Sequence, residues 1–140
     1  MARAFRDGAE VYQAAVMGAA PERPALPSGT ALSPGALKSD VIISKARSTG
    51  GPIYLVGFGK LTRHVAWWVE FGHRLVKGGY SKVTKNGKLR GPGREIGNVA
   101  AHPFFRSAFE AATPEAADVI SASIVDRVNK AFVEGEQTNA

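Results

Sequence analysis

The stretch TPEAADVISASIVDRVNKAFVE, from Thr113 to Glu134, leaves the chain the least choice. Ala117, Ile120, Ile124, Val128, Ala131 and Phe132 recur at steps of three and four. That spacing sets them on one side of a helix of about twenty residues, and such a side must lie on something, here expected to be a sheet. Thr113 as N-cap, Pro114 at the first position and Glu115 in the first turn mark a start. Just before it, AHPFFRSAFEAA predicts a separate helix opened by Pro103, with Phe105, Ala108, Phe109 and Ala112 along one face. The tail GEQTNA, residues 135–140, shows no such pattern and reads as frayed.

Residues 4–19 predict an N-terminal helix whose apolar stripe is Phe5, Ala9, Tyr12, Val16 and Ala19, with Gly8 weakening it slightly. Between Pro21 and Gly35 stand four prolines and two glycines. Proline fixes φ and removes a donor, so residues 21–35 read as an extended connector that wraps a surface or a neighbouring subunit. SDVIISKA and GPIYLVGFG are rich in β-branched and aromatic residues, and STGGP between them reads as a turn. Together they predict an antiparallel hairpin. HVAWWVEFG is too uniformly apolar for periodicity to decide. A short helix with Gly72 at its C-terminal end is favoured over an extended segment.

The net charge of +6 is unevenly spread. Seven of the 18 basic residues, Arg74, Lys77, Lys82, Lys85, Lys88, Arg90 and Arg94, fall in one stretch without an acid. Asn86-Gly87 suits a two-residue hairpin turn, but the flanking arms have few apolar residues. Residues 74–100 therefore read as a protruding basic loop. It is either solvated surface or a contact for an acidic partner or nucleic acid. The sum is an α+β fold in one domain, residues 1–140: a small antiparallel sheet packed against an N-terminal helix and a long C-terminal helix, with the Pro-rich connector and the basic loop outside it. A small sheet with open edges hints at an oligomer.

No apolar run approaches the roughly 20 residues of a membrane span, so no membrane contact is expected. The N-terminus mixes charges of both signs, and no secretory signal is read there. There is no cysteine, hence no disulfide, thiolate nucleophile or Cys-based metal site. GFGKLT resembles a phosphate loop but fails as one. Leu61 follows Lys60 where a hydroxyl should hold magnesium, and no glycine stands at the required upstream position. His64, Glu70, His73 and His102 lack the i, i+4 spacing of a helical zinc pair. No cofactor, metal or catalytic residue is expected, and the chain reads as a non-enzyme.

Glu70 remains conspicuous, a single carboxylate among Val65, Ala66, Trp67, Trp68, Val69 and Phe71. Unpaired in a dry site it would cost several kcal/mol or take up a proton. An ion pair with Arg63, Arg74 or Arg106 is expected, and solvent exposure is the alternative.

AWWVEFGH followed by AHPFFRSAFEAA resembles the paired signature of a family of tailed-phage neck or tail-completion proteins, in which an aromatic-rich VEFG precedes a PFLRPA-like helix start. FRDGAEVYQAAVMGAAP is similar to that family's first helix, and SPGALKSDVII to its entrance into the first strand. The likeness covers nearly the whole chain in order. The connector at residues 22–33 is longer than the family's short link. Residues 74–100 separate signature halves that usually lie closer, so the basic run takes no role from the family.

The resemblance implies a structural virion protein, made in the bacterial host cytoplasm, that forms a homo-oligomeric ring (a hexamer or dodecamer) at the head–tail junction or the top of the tail. Its neighbours would be head-closure or adaptor, tail-terminator or tail-tube proteins around the DNA channel. It marks Trp67, Trp68, Glu70, Phe71, Gly72, His102, Pro103, Phe104, Phe105 and Arg106 as structural or interface positions. Trp67, Trp68, Phe104 and Phe105 are expected chiefly in the core, where each would contribute roughly 1.5–3 kcal/mol. Lys77, Lys82, Lys85, Lys88, Arg90 and Arg94 are candidates for weak, non-specific contact with genomic DNA or a partner. A tail terminator or head-closure ring is the alternative within phage biology. A small basic nucleic-acid-binding protein is the alternative from another class, although its basic residues do not interleave with aromatics as a stacking platform requires.

Overall fold

The computed structural model describes residues 2–22, 33–77 and 93–138, with side chains to Val133. They fall into two compact units, one from residues 1–63 and 104–140, the other from 64–103.

In the first unit, α1 (Ala2–Ala19) and α4 (Phe104–Thr138) form the main contact. They run antiparallel. Asp7 accepts a 2.9 Å hydrogen bond from Ser123, Gly8 lies against Ala116 and Ile120, and Tyr12 stacks on Phe109 at 4.2 Å. The buried line on α1 is Ala4, Gly8, Ala9 and Val16, continued by Ala20. The expected stripe had Phe5 and Ala19 in it, and both are exposed. Small side chains won those positions because α4 comes too close for larger ones: a Cβ on Gly8 would stand 2.5 Å from the Ile120 side chain. Gly8 is a close-approach residue, not merely a weak helix former.

The expected break at Thr113 is absent, and α4 is one helix of 35 residues. The Thr113 hydroxyl bonds back to the Phe109 carbonyl at 2.8 Å rather than forward as a cap. Pro114 removes the N–H that would meet the Glu110 carbonyl, at a cost of about 3 kcal/mol. Packing outweighs this. Phe104, Ala108, Ala112 and Ala116 form one buried line that passes through the site, while Pro114 points outward. The helix also runs on to Thr138, past the tail expected to fray. It packs chiefly on α1, and its first turn meets the hairpin at Phe58.

The predicted hairpin is present. β1 (Val41–Ala46) and β2 (Ile53–Phe58) pair antiparallel, Val41 opposite Phe58 and Ala46 opposite Ile53. The turn carries Gly51 at φ +134°, a conformation suited to glycine. Val41, Ile43, Tyr54, Val56 and Phe58 share the inner face. Gln13 of α1 donates a 2.7 Å hydrogen bond to the Val41 carbonyl and ties helix to strand. A short helix, α2 (Ala36–Ser39), follows Gly35 and leads into β1. Of the expected connector, residues 23–32 lie outside the described residues.

The second unit holds most of α3 (Arg63–Phe71) and a second two-stranded sheet, β3 (His73–Lys77) with β4 (Arg94–Val99). The fold is α+β with two small sheets where one was expected. The ends of the supposed basic loop are strands. The Asn86-Gly87 turn and its arms lie outside the described residues.

Candidate functional site

The signature segment is built from the residues around Asp40 upward. The Thr62 hydroxyl donates to the Asp40 carboxylate at 2.7 Å, and the Gly59 N–H donates to the Asp40 carbonyl at 3.0 Å. Thr62 is buried, and a Cβ on Gly59 would fall on the Asp40 carboxylate. The GFGKLT segment is thus a tight turn held by one acid. It sets the start of α3, where the Arg63 N–H meets the Gly59 carbonyl at 3.1 Å.

α3 ends at Gly72, as the sequence reading expects. Its φ is +71°, and a Cβ there would stand 2.5 Å from the Val99 carbonyl oxygen and 2.8 Å from the Ala101 nitrogen. His73 then pairs with Val99, and the His102 N–H donates to the Val69 carbonyl at 2.8 Å. The segments EFGH and AHP, 27 residues apart across 74–100 in sequence, therefore meet backbone to backbone. Glycine at 72 is what lets them.

The aromatic signature residues divide. Phe104 is 3% exposed and sits edge-on to Phe58 at 5.9 Å; Phe105 lies 5.8 Å from Phe58 and 5.2 Å from Phe109. These rings continue through Phe109 to Tyr12 and close the first unit around the start of α4. Trp67 is 63% exposed, and Trp68 and Phe71 about half, so the expectation of tryptophans in the core is corrected. Trp67 packs on Phe71 at 4.4 Å, and Trp68 lies between His64 and His73, 5.4 Å from each. The helix buries its smaller residue Ala66 and its carboxylate Glu70, and turns its indoles outward. An apolar run on a short helix can bury only one side.

Glu70 is buried at 8% exposure and engaged, which removes the solvent-facing alternative. Arg74, one of the expected partners, lies 3.6 Å from Glu95 at the surface. Arg63 and Arg106 are exposed, and Arg106 and His102 are also engaged. Pro103 is exposed one residue before α4. The Nδ1 atom of His73 is buried without a hydrogen-bond partner among the described residues.

Of the basic candidates, Lys77 and Arg94 are exposed and directly opposite each other at the end of the β3–β4 ribbon. Like charges so paired repel, which suits an anionic neighbour. Lys82, Lys85, Lys88 and Arg90 lie outside the described residues. A groove of about 500 Å³ between α1 and α4 carries only acidic charge, from Asp7, Glu10 and Glu115. Among the described residues no group of three or more histidine, aspartate or glutamate side chains gathers to hold a metal, and no helix is long and apolar enough to cross a membrane.

Sequence reasoning missed the most telling feature. Seven of the ten buried apolar residues among those described are alanines, while many of the large ones (Ile42, Ile53, Leu55, Leu61, Trp67, Phe132 and others) are exposed. Periodicity locates an apolar face but does not say what covers it. In comparisons with protein families, with curated proteins and with solved structures, nothing matches this chain.

Proposed function

We propose that the chain is a structural subunit of a tailed bacteriophage, one member of a homo-oligomeric ring at the head–tail junction or the top of the tail. The observation that carries this is the number of large apolar side chains left exposed beside a core built mostly of alanines. Single exposed apolar residues are ordinary, but contiguous patches mark contact surfaces. Here they occur on α3, on both ribbons and on the far end of α4. Tryptophan and phenylalanine are favoured anchors of such contacts. A ring subunit with neighbours beside, above and below needs several of them. The resemblance of the VEFG and HPFFR segments to neck proteins supplies the particular particle, and with it head-closure, terminator or tube proteins as neighbours. The work is contact and not turnover, without cofactor.

The Lys77–Arg94 end of the ribbon supports weak anionic contact, with channel DNA or an acidic neighbour. Such contact falls steeply as salt rises. Tight DNA binding that survives moderate salt would instead favour the nucleic-acid-binding reading.

Loss of the gene from the phage that encodes it tests the proposal. Filled heads and finished tails that remain unjoined support a neck subunit. Tails of uncontrolled length assign the chain to the terminator, and normal virions contradict a structural role.

A further inference from the structure

The β1–β2 hairpin and the β3–β4 ribbon are both two-stranded, so among the described residues every strand has one edge without a partner. Such an edge invites pairing with another chain unless charge, proline or a bulge blunts it. On β1, Lys45 stands in the strand, and Gln13 already bonds to the Val41 carbonyl at 2.7 Å. β3 and β4 carry Arg74, Lys77, Arg94 and Glu95, and their register slips between Leu75 and Val76. β2 reads IYLVGF, without charge or proline and in unbroken register. Its edge is the one left unblunted.

The phase of the ladder shows which groups lie on that edge. The Gly59 N–H donates to the Asp40 carbonyl at 3.0 Å, one step beyond the Val41–Phe58 pair. Hydrogen-bonded and non-hydrogen-bonded pairs alternate along an antiparallel ladder. Gly57, Leu55 and Ile53 therefore bond to β1, while Tyr54, Val56 and Phe58 turn their N–H and C=O groups away from it. The Val41 carbonyl, turned outward on the other edge to meet Gln13, fits the same phase. Among the described residues no hydrogen bond reaches the outward groups of Tyr54, Val56 and Phe58.

We infer that β2 is an interface strand, pairing antiparallel with β2 of a second copy of this chain about a two-fold axis at Val56. In that register Tyr54 of each copy bonds with Phe58 of the other and Val56 with Val56, so every outward group finds a partner. A register centred on Leu55 sets Phe58 against Pro52, which has no N–H, and one centred on Gly57 sets Tyr54 against Lys60, outside the strand. The side chains fit the same choice. Leu55, about half exposed, falls beside Gly57 of the other copy, and a Cβ built on Gly57 meets nothing within 4 Å. A large side chain thus covers the space that glycine leaves on the sheet. The strand complements itself in both backbone and side chains, which is why the partner is a second copy.

Pairing joins two marginal two-stranded hairpins into one sheet of four strands, a size that is stable in its own right. The contact is isologous and joins copies in pairs. It does not depend on the ring-subunit reading.

The chain has no cysteine, so introduced cysteines report the register cleanly. Leu55→Cys and Gly57→Cys are mixed in equal amounts and oxidised mildly after circular dichroism confirms their folding. Positions 55 and 57 form a non-hydrogen-bonded pair across the new edge, where side chains stand closest. The expected product is the mixed 55–57 dimer in excess of either homodimer. In sedimentation, Val56→Pro removes an N–H that β1 does not use and should weaken self-association by about tenfold, and Leu55→Lys, at an exposed position, should weaken it as well. Homodimers alone, no cross-link at concentrations where the wild type associates, or a wild type that never associates each overturn the inference. The neck reading keeps its own genetic test in every case.

Discussion

The two halves of α4 share one helix and one apolar period but not one neighbour. From Phe104 to Ala116 the buried positions are a phenylalanine and three alanines, fitted against α1 and the Phe58 ring. From Val125 to Val133 the apolar residues, three valines and Phe132 with Ala131 among them, are all exposed. The half whose buried line is mostly alanine is the half that lies against α1, where close approach at Gly8 leaves little room for larger side chains. The half with large side chains extends past the end of α1. The α3 helix repeats the contrast, with Ala66 buried and Trp67 and Trp68 outside. A core built from alanine brings elements close but removes little apolar area from water per residue.

The contrast breaks first at Phe104. Phe104→Ala should cost about 3–5 kcal/mol in chemical denaturation, the usual toll for a buried phenylalanine, whereas Phe132→Ala should change the isolated chain by less than about 0.5 kcal/mol. Equal effects would mean that the overhang is covered from within. Next is Gly72→Ala, which puts a methyl group against the Val99 carbonyl at a left-handed φ. It should destabilise by about 1–3 kcal/mol and lower hydrogen-exchange protection in residues 64–103 before the α1–α4 pair. Thr62→Val keeps the shape and removes the bond to Asp40; a loss of about 1–2 kcal/mol on the same measurement is expected. The smallest effect is a gain. Lys77→Glu turns the repulsion with Arg94 into a cross-strand ion pair and should stabilise by about 0.2–1 kcal/mol at low salt, fading as salt is added.

The sequence made some elements plain and hid others for physical reasons. The β1–β2 hairpin was legible because its β-branched runs are bounded by Gly50, Gly51 and Pro52, and α3 because Gly72 stops it. The β3–β4 ribbon was not. Its apolar residues stand among Arg74, Lys77, Arg94 and Glu95, and the register slips between Leu75 and Val76, which upsets the alternation that announces a strand. Thr113-Pro114-Glu115 has the chemistry of a helix start and is a helix interior, held there by the Ala108–Ala112–Ala116 line. In the site, Gly72, His102 and Glu70 stood out in sequence, and the structure brings the first two into the same backbone crossing. The outward Trp67 and Trp68 could not be foreseen, because an indole suits a core and an interface equally well and periodicity does not distinguish them.

Both tryptophans lie on α3, so indole fluorescence reports that surface alone. Acrylamide quenching of the wild-type chain, followed from the dilute monomer to the assembled state, tests whether the large apolar residues wait for neighbours. The account predicts freely quenched, water-exposed emission in the monomer and shielded, blue-shifted emission on assembly. Shielded emission already present in the dilute monomer would contradict it.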